Sequence, residues 1–113
     1  MVNHFQELLP YLHLENSLVY SAAPYRNGGK KGTGLQIDLL LQTKRSSYIV
    51  EVKRRAEIGQ EVVDEVAEKV RRLKVAAGKS IRTALVYDGH LSRTVEADGF
   101  FDAIIPFSRV LGM

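Results

Sequence analysis

The 113-residue chain contains no cysteine, which excludes disulfides and thiolate metal sites and gives no indication of secretion. Its three histidines are isolated, so none has the spacing of a metal-binding pair on one helix face. No apolar run approaches the roughly 20 residues that span a bilayer. The opening MVNHFQELLP lacks the basic and then apolar order of a signal peptide. We therefore expect a cytoplasmic protein that does not enter a membrane.

The composition is that of one ordinary globular domain. Hydrophobic residues make up 45% of the chain and charged residues 26%, which suits a modest core. Lysine and arginine exceed aspartate and glutamate by a formal charge of +3, and the pI is about 9.3. This excess of positive charge permits a polyanion as partner without requiring one.

Hydrophobic periodicity and turn residues predict the order helix, strand, strand, strand, helix, strand, strand. The predicted elements are an N-terminal amphipathic helix with Phe5, Leu8, Leu9 and Leu12, kinked at Pro10; strands in NSLVYSA, 35–42 and 47–54; a helix in GQEVVDEVAEKVRRLKVAAGK; a strand in IRTALVYD; a turn in DGHLS; a strand over 100–105; and a helical turn in FSRVLG. No linker divides the chain and no repeat is present. We therefore predict a single domain, residues 1–113, built on a mixed α/β sheet.

The second and third predicted strands are joined by the turn KRSS, which is typical of a hairpin. Strict alternation would place Leu35, Ile37, Leu39 and Leu41 on one face of the second strand and Gln36, Asp38, Leu40 and Gln42 on the other. The third strand would direct Val50 and Val52 to one face and Ile49, Glu51 and Lys53 to the other. Both strands carry apolar residues on both faces, as a central strand packed on two sides does.

Centring the turn on Lys44 and Arg45 places Asp38 opposite Glu51, where two like charges would be destabilising. A divalent cation held by both carboxylates would offset this repulsion, and hard oxygen ligands suit Mg²⁺ or Mn²⁺. Lys53 emerges on the same face as Glu51, beside the position of a metal-bound phosphate. Two acids and an ammonium around one metal are suited to phosphodiester hydrolysis.

A structural interpretation of the same hairpin stays open. In it Lys53 forms ion pairs with Asp38 and Glu51, and the three residues have no further role.

The residues I-D in GLQIDLLL and E-V-K in YIVEVK, separated by a hairpin, resemble the PD-(D/E)xK nuclease superfamily. The chain looks most similar to the nuclease-like domains at the C-terminal end of some bacterial and archaeal ATPases, and more distantly to Holliday-junction resolvases. The resemblance covers nearly the whole chain and implies an α/β fold with a restriction-endonuclease-like mixed β-sheet core (α-β-β-β-α-β) flanked by helices. It also implies metal-dependent hydrolysis of DNA. Ile37 stands where the motif has its proline.

Carried over residue by residue, Asp38 and Glu51 match the metal-binding acids and Lys53 matches the motif lysine. The carbonyl of Val52 would be a further metal ligand, and Gln36 would contact the phosphate or a metal-bound water.

Many relatives complete the metal site with a glutamate on the first helix. Here the alignment can select Gln6 or Glu7, and Glu7 is the candidate ligand. A solvated helix residue is the alternative for Glu7.

Basic residues outside the motif are candidates for contacts with DNA backbone phosphates. Lys30, Lys31 and Arg26 lie in PYRNGGKKGTG, which is predicted to be a mobile loop and lacks the spacing of a phosphate-binding P-loop. Lys69 and Arg72 lie on the long helix, where a solvated face is an equal alternative.

Three functions follow as hypotheses. The first is a Mg²⁺-dependent endonuclease domain acting on DNA. The second is an accessory or nucleic-acid-binding domain of an ATPase system, with the same fold but little or no turnover. The third is a dimeric structural domain in which the acids only neutralise Lys53. Because few elements remain to hold a long duplex, we expect a homodimer or an ATPase partner domain.

Overall fold

The computed structural model describes residues 2–28 and 34–110, with side chains from residue 5 onward. Its sheet has five strands in chain order: β1 (Val19–Asn27), β2 (Leu35–Thr43), β3 (Ser46–Ile58), β4 (Ser80–Leu91) and β5 (Ala103–Pro106). Neighbouring strands are antiparallel from β1 to β3 and parallel from β3 to β5. The prediction of a mixed α/β sheet is therefore confirmed.

Two α-helices connect the parallel strands: α1 (Gln60–Arg72) lies between β3 and β4, and α2 (Arg93–Asp98) lies between β4 and β5. Three 3₁₀ helices complete the description: Val2–Leu12, Asn16–Leu18 and Phe107–Arg109. The helix predicted in GQEVVDEVAEKVRRLKVAAGK is confirmed as α1, which buries a stripe of valines, Val62, Val63 and Val66. No helix among the described residues is long and apolar enough to cross a membrane.

Hydrophobic side chains cover both faces of the sheet. On one face, α1 and α2 pack against Leu35, Ile37, Leu40, Ile49 and Leu85. On the opposite face, the N-terminal and C-terminal 3₁₀ helices pack against Leu39, Leu41, Val50, Val86 and Ile105. The central strands β2, β3 and β4 are therefore covered on two sides, as their apolar sequences indicate.

The predicted register of the β2–β3 hairpin is confirmed over four pairs, from Leu39 opposite Val50 to Gln42 opposite Ser47. At the turn, the hydroxyl of Thr43 accepts a hydrogen bond of 3.0 Å from the backbone N–H of Ser46. The ladder ends at Leu39, one pair before Asp38 and Glu51 would face each other.

Strict alternation along β2 is wrong, because the strand contains a β-bulge. Ala23 on β1 pairs with Leu40 on β2, and the next recorded pair is Tyr25 with Ile37. The step is two residues along β1 but three along β2, so β2 has one extra residue at this point. Leu35, Ile37 and Leu40 consequently face α1, while Leu39 and Leu41 face the other core. A bulge redirects side chains and commonly ends strand pairing.

Several predicted boundaries are also wrong. The segment predicted as the turn DGHLS continues β4 through Leu91, and the last strand is Ala103–Pro106 instead of 100–105. The N-terminal helix is a 3₁₀ helix that includes Pro10, which has no N–H for an α-helical hydrogen bond. Part of the predicted loop, Pro24 to Asn27, belongs to β1, and residues 29–33 lie outside the described residues.

The extension of β4 depends on Gly89. Its φ angle is +137°, and a Cβ built there would lie 1.8 Å from the carbonyl oxygen of Arg55. The register between β3 and β4 shifts at this point, between Arg54 and Glu57. Only glycine allows the two backbones to approach so closely.

Candidate metal and nucleic-acid site

Asp38 lies at the β-bulge, where β2 and β3 stop pairing. Its side chain is exposed, and its Oδ2 atom accepts a hydrogen bond of 2.9 Å from the backbone N–H of Val52. If β2 and β3 continued to pair, a backbone carbonyl of β2 would accept from the N–H of Val52. The carboxylate of Asp38 takes the place of that carbonyl. Since the N–H and C=O of one strand residue point to the same edge, the carbonyl of Val52 points to the edge of β3 that faces β2.

Glu51 lies on the face of β3 that α1 covers, and its side chain is only 1% exposed. The ammonium of Lys69 on α1 donates to both of its carboxylate oxygens, at 2.9 and 3.2 Å. The ammonium of Lys53 lies 3.2 Å from Oε2 of the same carboxylate. A buried carboxylate needs such partners, because its unpaired charge would be expensive to keep away from water.

Glu65 completes this cluster and was not identified from the sequence. Its Oε2 atom accepts a hydrogen bond of 2.8 Å from Lys53 and lies 3.7 Å from Lys69, one helical turn further along α1. Glu65 and Lys69 flank the apolar stripe of α1 at four-residue spacing. That spacing could have indicated that both side chains reach the sheet.

The pKa values of Glu51 and Glu65 are shifted in opposite directions. Burial and a hydrogen bond with Glu65 raise the pKa of Glu51 to about 7, although Lys69 acts in the other direction, and the negative charge of Asp38 adds to the rise. The hydrogen bond with Glu51 and the positive charges of Lys53 and Lys69 lower the pKa of Glu65 to about 2, against the effect of burial. The carboxyl of Glu51 therefore takes up a proton at a higher pH than the carboxyl of Glu65.

The ammonium of Lys53 is held in its charged form. Partial burial acts to lower its pKa, but the hydrogen bonds and charges of Glu65 and Glu51 outweigh this and raise the pKa above the ordinary value. A lysine in this state donates hydrogen bonds and positive charge, and it does not act as a base at neutral pH.

A cleft of about 340 Å³ lies beside the cluster, between the start of β2 and α1. Gln36, Glu65, Lys69 and Arg72 are among the residues that line it. Arg26 on β1 pairs with Gln36 across the antiparallel strands. The structure thus brings Gln36, Lys69 and Arg72 to one cleft and places Arg26 opposite Gln36, whereas Lys30 and Lys31 fall outside the described residues.

The two first-helix candidates, Gln6 and Glu7, are both exposed. Their helix packs through Leu8, Leu9 and Leu12 on the face of the sheet opposite α1. The role of Glu7 as a metal ligand stays a prediction.

The donor set fits a hard cation. Asp38 and Glu51 would contribute carboxylate oxygens, and Val52, whose N–H binds Asp38, would add its carbonyl oxygen. Mg²⁺ is commonly bound by one or two carboxylates, with the remaining positions filled by water and phosphate. Within residues 2–28 and 34–110, no group of three or more His, Cys, Asp or Glu side chains is arranged to hold a metal ion. The candidate ligands are thus the carboxylates of Asp38 and Glu51 and the carbonyl of Val52, and Glu7 stays a prediction.

Comparison with known proteins identifies no relative: no protein family, no curated protein and no solved structure matches this chain.

Proposed function

We propose that this chain is a metal-dependent nuclease-type domain that hydrolyses phosphodiester bonds in DNA, with Asp38, Glu51 and the carbonyl of Val52 holding Mg²⁺ or Mn²⁺. The observation that carries the proposal is the bulge of β2, which directs the Asp38 carboxylate to the backbone of Val52, next to the buried Glu51. When bound, the metal would lower the pKa of an attached water and neutralise charge that develops on the phosphate.

The element order of the fold agrees with this proposal. A helical segment, the antiparallel strands β1 to β3, the helix α1 and the parallel strand β4 follow one another as in a restriction-endonuclease-like core. We therefore include this specific topology in the proposal.

Lys53 has the role of positioning and stabilising the scissile phosphate. Its raised pKa keeps it protonated, and Glu65 holds the ammonium at 2.8 Å. A fixed positive charge next to the reacting phosphoryl oxygens stabilises the transition state. Activation of water by Lys53 acting as a base is not part of the proposal.

The DNA strand would approach along the cleft between β2 and α1. Gln36 and Arg72 line this cleft, and Arg26 lies opposite Gln36 on β1. Cationic and amide side chains of this kind bind backbone phosphates and carry no base specificity. A homodimer or an attached ATPase domain would supply the remaining surface for a duplex, and we place this activity in the cytoplasm.

A cleavage assay tests the proposal. Purified protein is incubated with supercoiled plasmid and with a branched oligonucleotide, each with Mg²⁺, with Mn²⁺ or with EDTA. We expect metal-dependent products that Asp38→Asn, Glu51→Gln and Lys53→Met each abolish, with Asp64→Asn, an exposed acid on α1, as the control that retains activity. Cleavage that persists in the three site variants would contradict the proposal.

A second function, DNA binding without turnover, is favoured by one observation. Both carboxylate oxygens of Glu51 already contact Lys69, and one of them also contacts Lys53, so the acid is neutralised without a metal. This function predicts salt-sensitive binding of DNA, weakened by Arg26→Gln and Arg72→Gln, with no products after long incubation in Mn²⁺. Retention of binding by both arginine variants would count against it.

A further inference from the structure

The ammonium of Lys69 binds the carboxylate of Glu51, which the proposed metal site requires as a ligand. The ammonium contacts Oε1 of Glu51 at 2.9 Å and Oε2 at 3.2 Å. Glu51 is 1% exposed, so α1 and the surrounding core leave these oxygens little further access to ligands. A cation that approaches Glu51 must therefore share the carboxylate with Lys69 or displace it.

Lys53 and Lys69 differ in how they are held. The shortest contact of Lys53 is with Glu65, at 2.8 Å, and its distance to Glu51 is 3.2 Å. For Lys69 the order is reversed, with 2.9 Å to Glu51 and 3.7 Å to Glu65. Glu65 therefore keeps Lys53 in place if Glu51 binds another cation, whereas Lys69 loses its main partner.

Lys69 also has a path away from Glu51. Its side chain is 16% exposed and lines the cleft between β2 and α1. Glu65 and Arg72, each about one turn of α1 from Lys69, line the same cleft on either side of it. A flexible four-carbon side chain can move its ammonium from a carboxylate to a nearby cleft without a change in the backbone.

We infer that the ammonium of Lys69 binds the Glu51 carboxylate when no metal is present, and that a divalent cation displaces this ammonium into the cleft. The inference rests on the proposed function, because it assumes the Asp38–Glu51 metal site. In the cleft the released ammonium is available to a phosphate of the bound strand. The binding of metal and of DNA are thereby linked, since each favours the position of Lys69 away from Glu51.

Isothermal titration calorimetry with Mn²⁺ at about pH 8 tests the inference without an activity assay. Removing the competing ammonium in Lys69→Met is expected to tighten Mn²⁺ binding about tenfold, since a charge-assisted pair no longer has to be broken. The matched control is Arg71→Met, which removes one positive charge from the same helix but leaves Glu51 and its partners intact, because Arg71 pairs with Glu68. Asp38→Asn in the wild-type background locates the binding site.

A second measurement uses the wild-type chain and so does not depend on the folding of a variant. Acetic anhydride is applied briefly with and without saturating Mn²⁺, and modified lysines are quantified by mass spectrometry. Displacement predicts a rise in the acetylated fraction of Lys69 on addition of Mn²⁺, while the exposed turn residue Lys44 is unchanged.

The outcomes separate the two proposals. Tighter binding in Lys69→Met than in Arg71→Met, or a metal-dependent rise in Lys69 acetylation, supports displacement. Equal affinities in the two variants together with unchanged acetylation overturn it; if Asp38→Asn still abolishes Mn²⁺ binding, the metal site itself stands. Absence of Mn²⁺ binding in every protein overturns both the displacement and the proposed metal-dependent function.

Discussion

The carboxylate of Asp38 accepts a hydrogen bond from the backbone N–H of Val52, at 2.9 Å, at the position where β2 and β3 separate. This contact fixes the side chain of Asp38 beside the strand that carries Glu51. Its strength can be measured separately from any catalytic role.

Replacing Asp38 by alanine removes the acceptor and leaves the Val52 N–H without it. We expect Asp38→Ala to lower the free energy of unfolding by about 1 kcal/mol, and Asp38→Asn to lower it less because the amide oxygen can still accept. Urea unfolding monitored by circular dichroism measures both, with Asp64→Ala, an exposed acid on α1, as the control. A stabilised Asp38→Ala would mean that repulsion from Glu51 outweighs the hydrogen bond, as in the purely structural interpretation.

The pKa of Glu51, raised from 4.5 to about 7, makes stability depend on pH. The folded state favours the protonated carboxyl, so its stabilising contribution is complete below pH 4.5 and is lost as the pH rises to 7 and above. We expect the unfolding free energy of the wild type, relative to Glu51→Gln, to fall by on the order of 2 kcal/mol between about pH 4.5 and 8.

Glu65 does not contribute to this pH dependence between about pH 4.5 and 8. Its pKa of about 2 in the folded state means that its stabilising contribution is lost only as the pH falls below 4.5. Urea titrations at several pH values measure the difference, with Glu68→Gln as a variant that removes an exposed α1 carboxylate. A wild-type advantage that grows with pH would show that the buried carboxylate is stabilised as the anion, contrary to the expected direction.

Glu51 and Lys69 should be strongly coupled energetically. Removing the ammonium in Lys69→Met leaves the buried Glu51 carboxylate with one partner fewer, so this variant should cost about 2 kcal/mol or more at pH 8. Glu51→Gln should cost less at that pH, because the fold favours the neutral form of Glu51 and Lys69 keeps Glu65 within 3.7 Å. The double variant should cost less than the sum, with a coupling energy of at least about 1 kcal/mol.

The exposed pair of Glu68 and Arg71 on the same helix is the reference cycle, and its coupling should be only about 0.3–0.5 kcal/mol. Thermal and urea unfolding of the two cycles give both values. Similar coupling in the two cycles would indicate that the Glu51 pair is solvated in solution.

Gly89 should tolerate no side chain. A Cβ there would lie 1.8 Å from the Arg55 carbonyl oxygen, so Gly89→Ala must separate β3 from β4 or distort both strands. We expect a loss of at least about 3 kcal/mol in unfolding free energy. Gly78→Ala is the matched control, because Gly78 also has a positive φ, +88°, but nothing lies within 4 Å of an added Cβ.

At Gly78 the loss should be about 1 kcal/mol, from backbone strain alone. Equal losses at the two positions would show that strain in φ, and not the close approach to Arg55, determines the cost at Gly89. Both variants can be compared by their midpoints of thermal unfolding.

The short helix α2 was not predicted from the sequence. Both ends of this helix nevertheless carry capping residues. The hydroxyl of Ser92 accepts a hydrogen bond of 3.2 Å from the N–H of Thr94 at the first turn, and Gly99 ends the helix with a φ of +72°. Six residues are too few for the hydrophobic period to appear, so the capping residues were its only strong signal.

The amino-acid sequence by itself determined the periodic elements and the hairpin. The valine stripe of α1, the alternation of β3 and the pairing of Leu39 with Val50 follow from spacing within short segments, and spacing also identified Asp38, Glu51 and Lys53 as candidates. These features are local, since each depends on residues close together along the chain.

Only the tertiary structure decided which charges meet. The bulge of β2 moved Asp38 out of the ladder, and the packing of α1 on β3 brought Lys69 and Glu65 to Glu51, across 18 residues of sequence in the case of Lys69. Helix period places a side chain on a face, but the partner of that face depends on how helix and sheet pack. The extension of β4 likewise depends on the backbone of Arg55, which no pattern around Gly89 reveals.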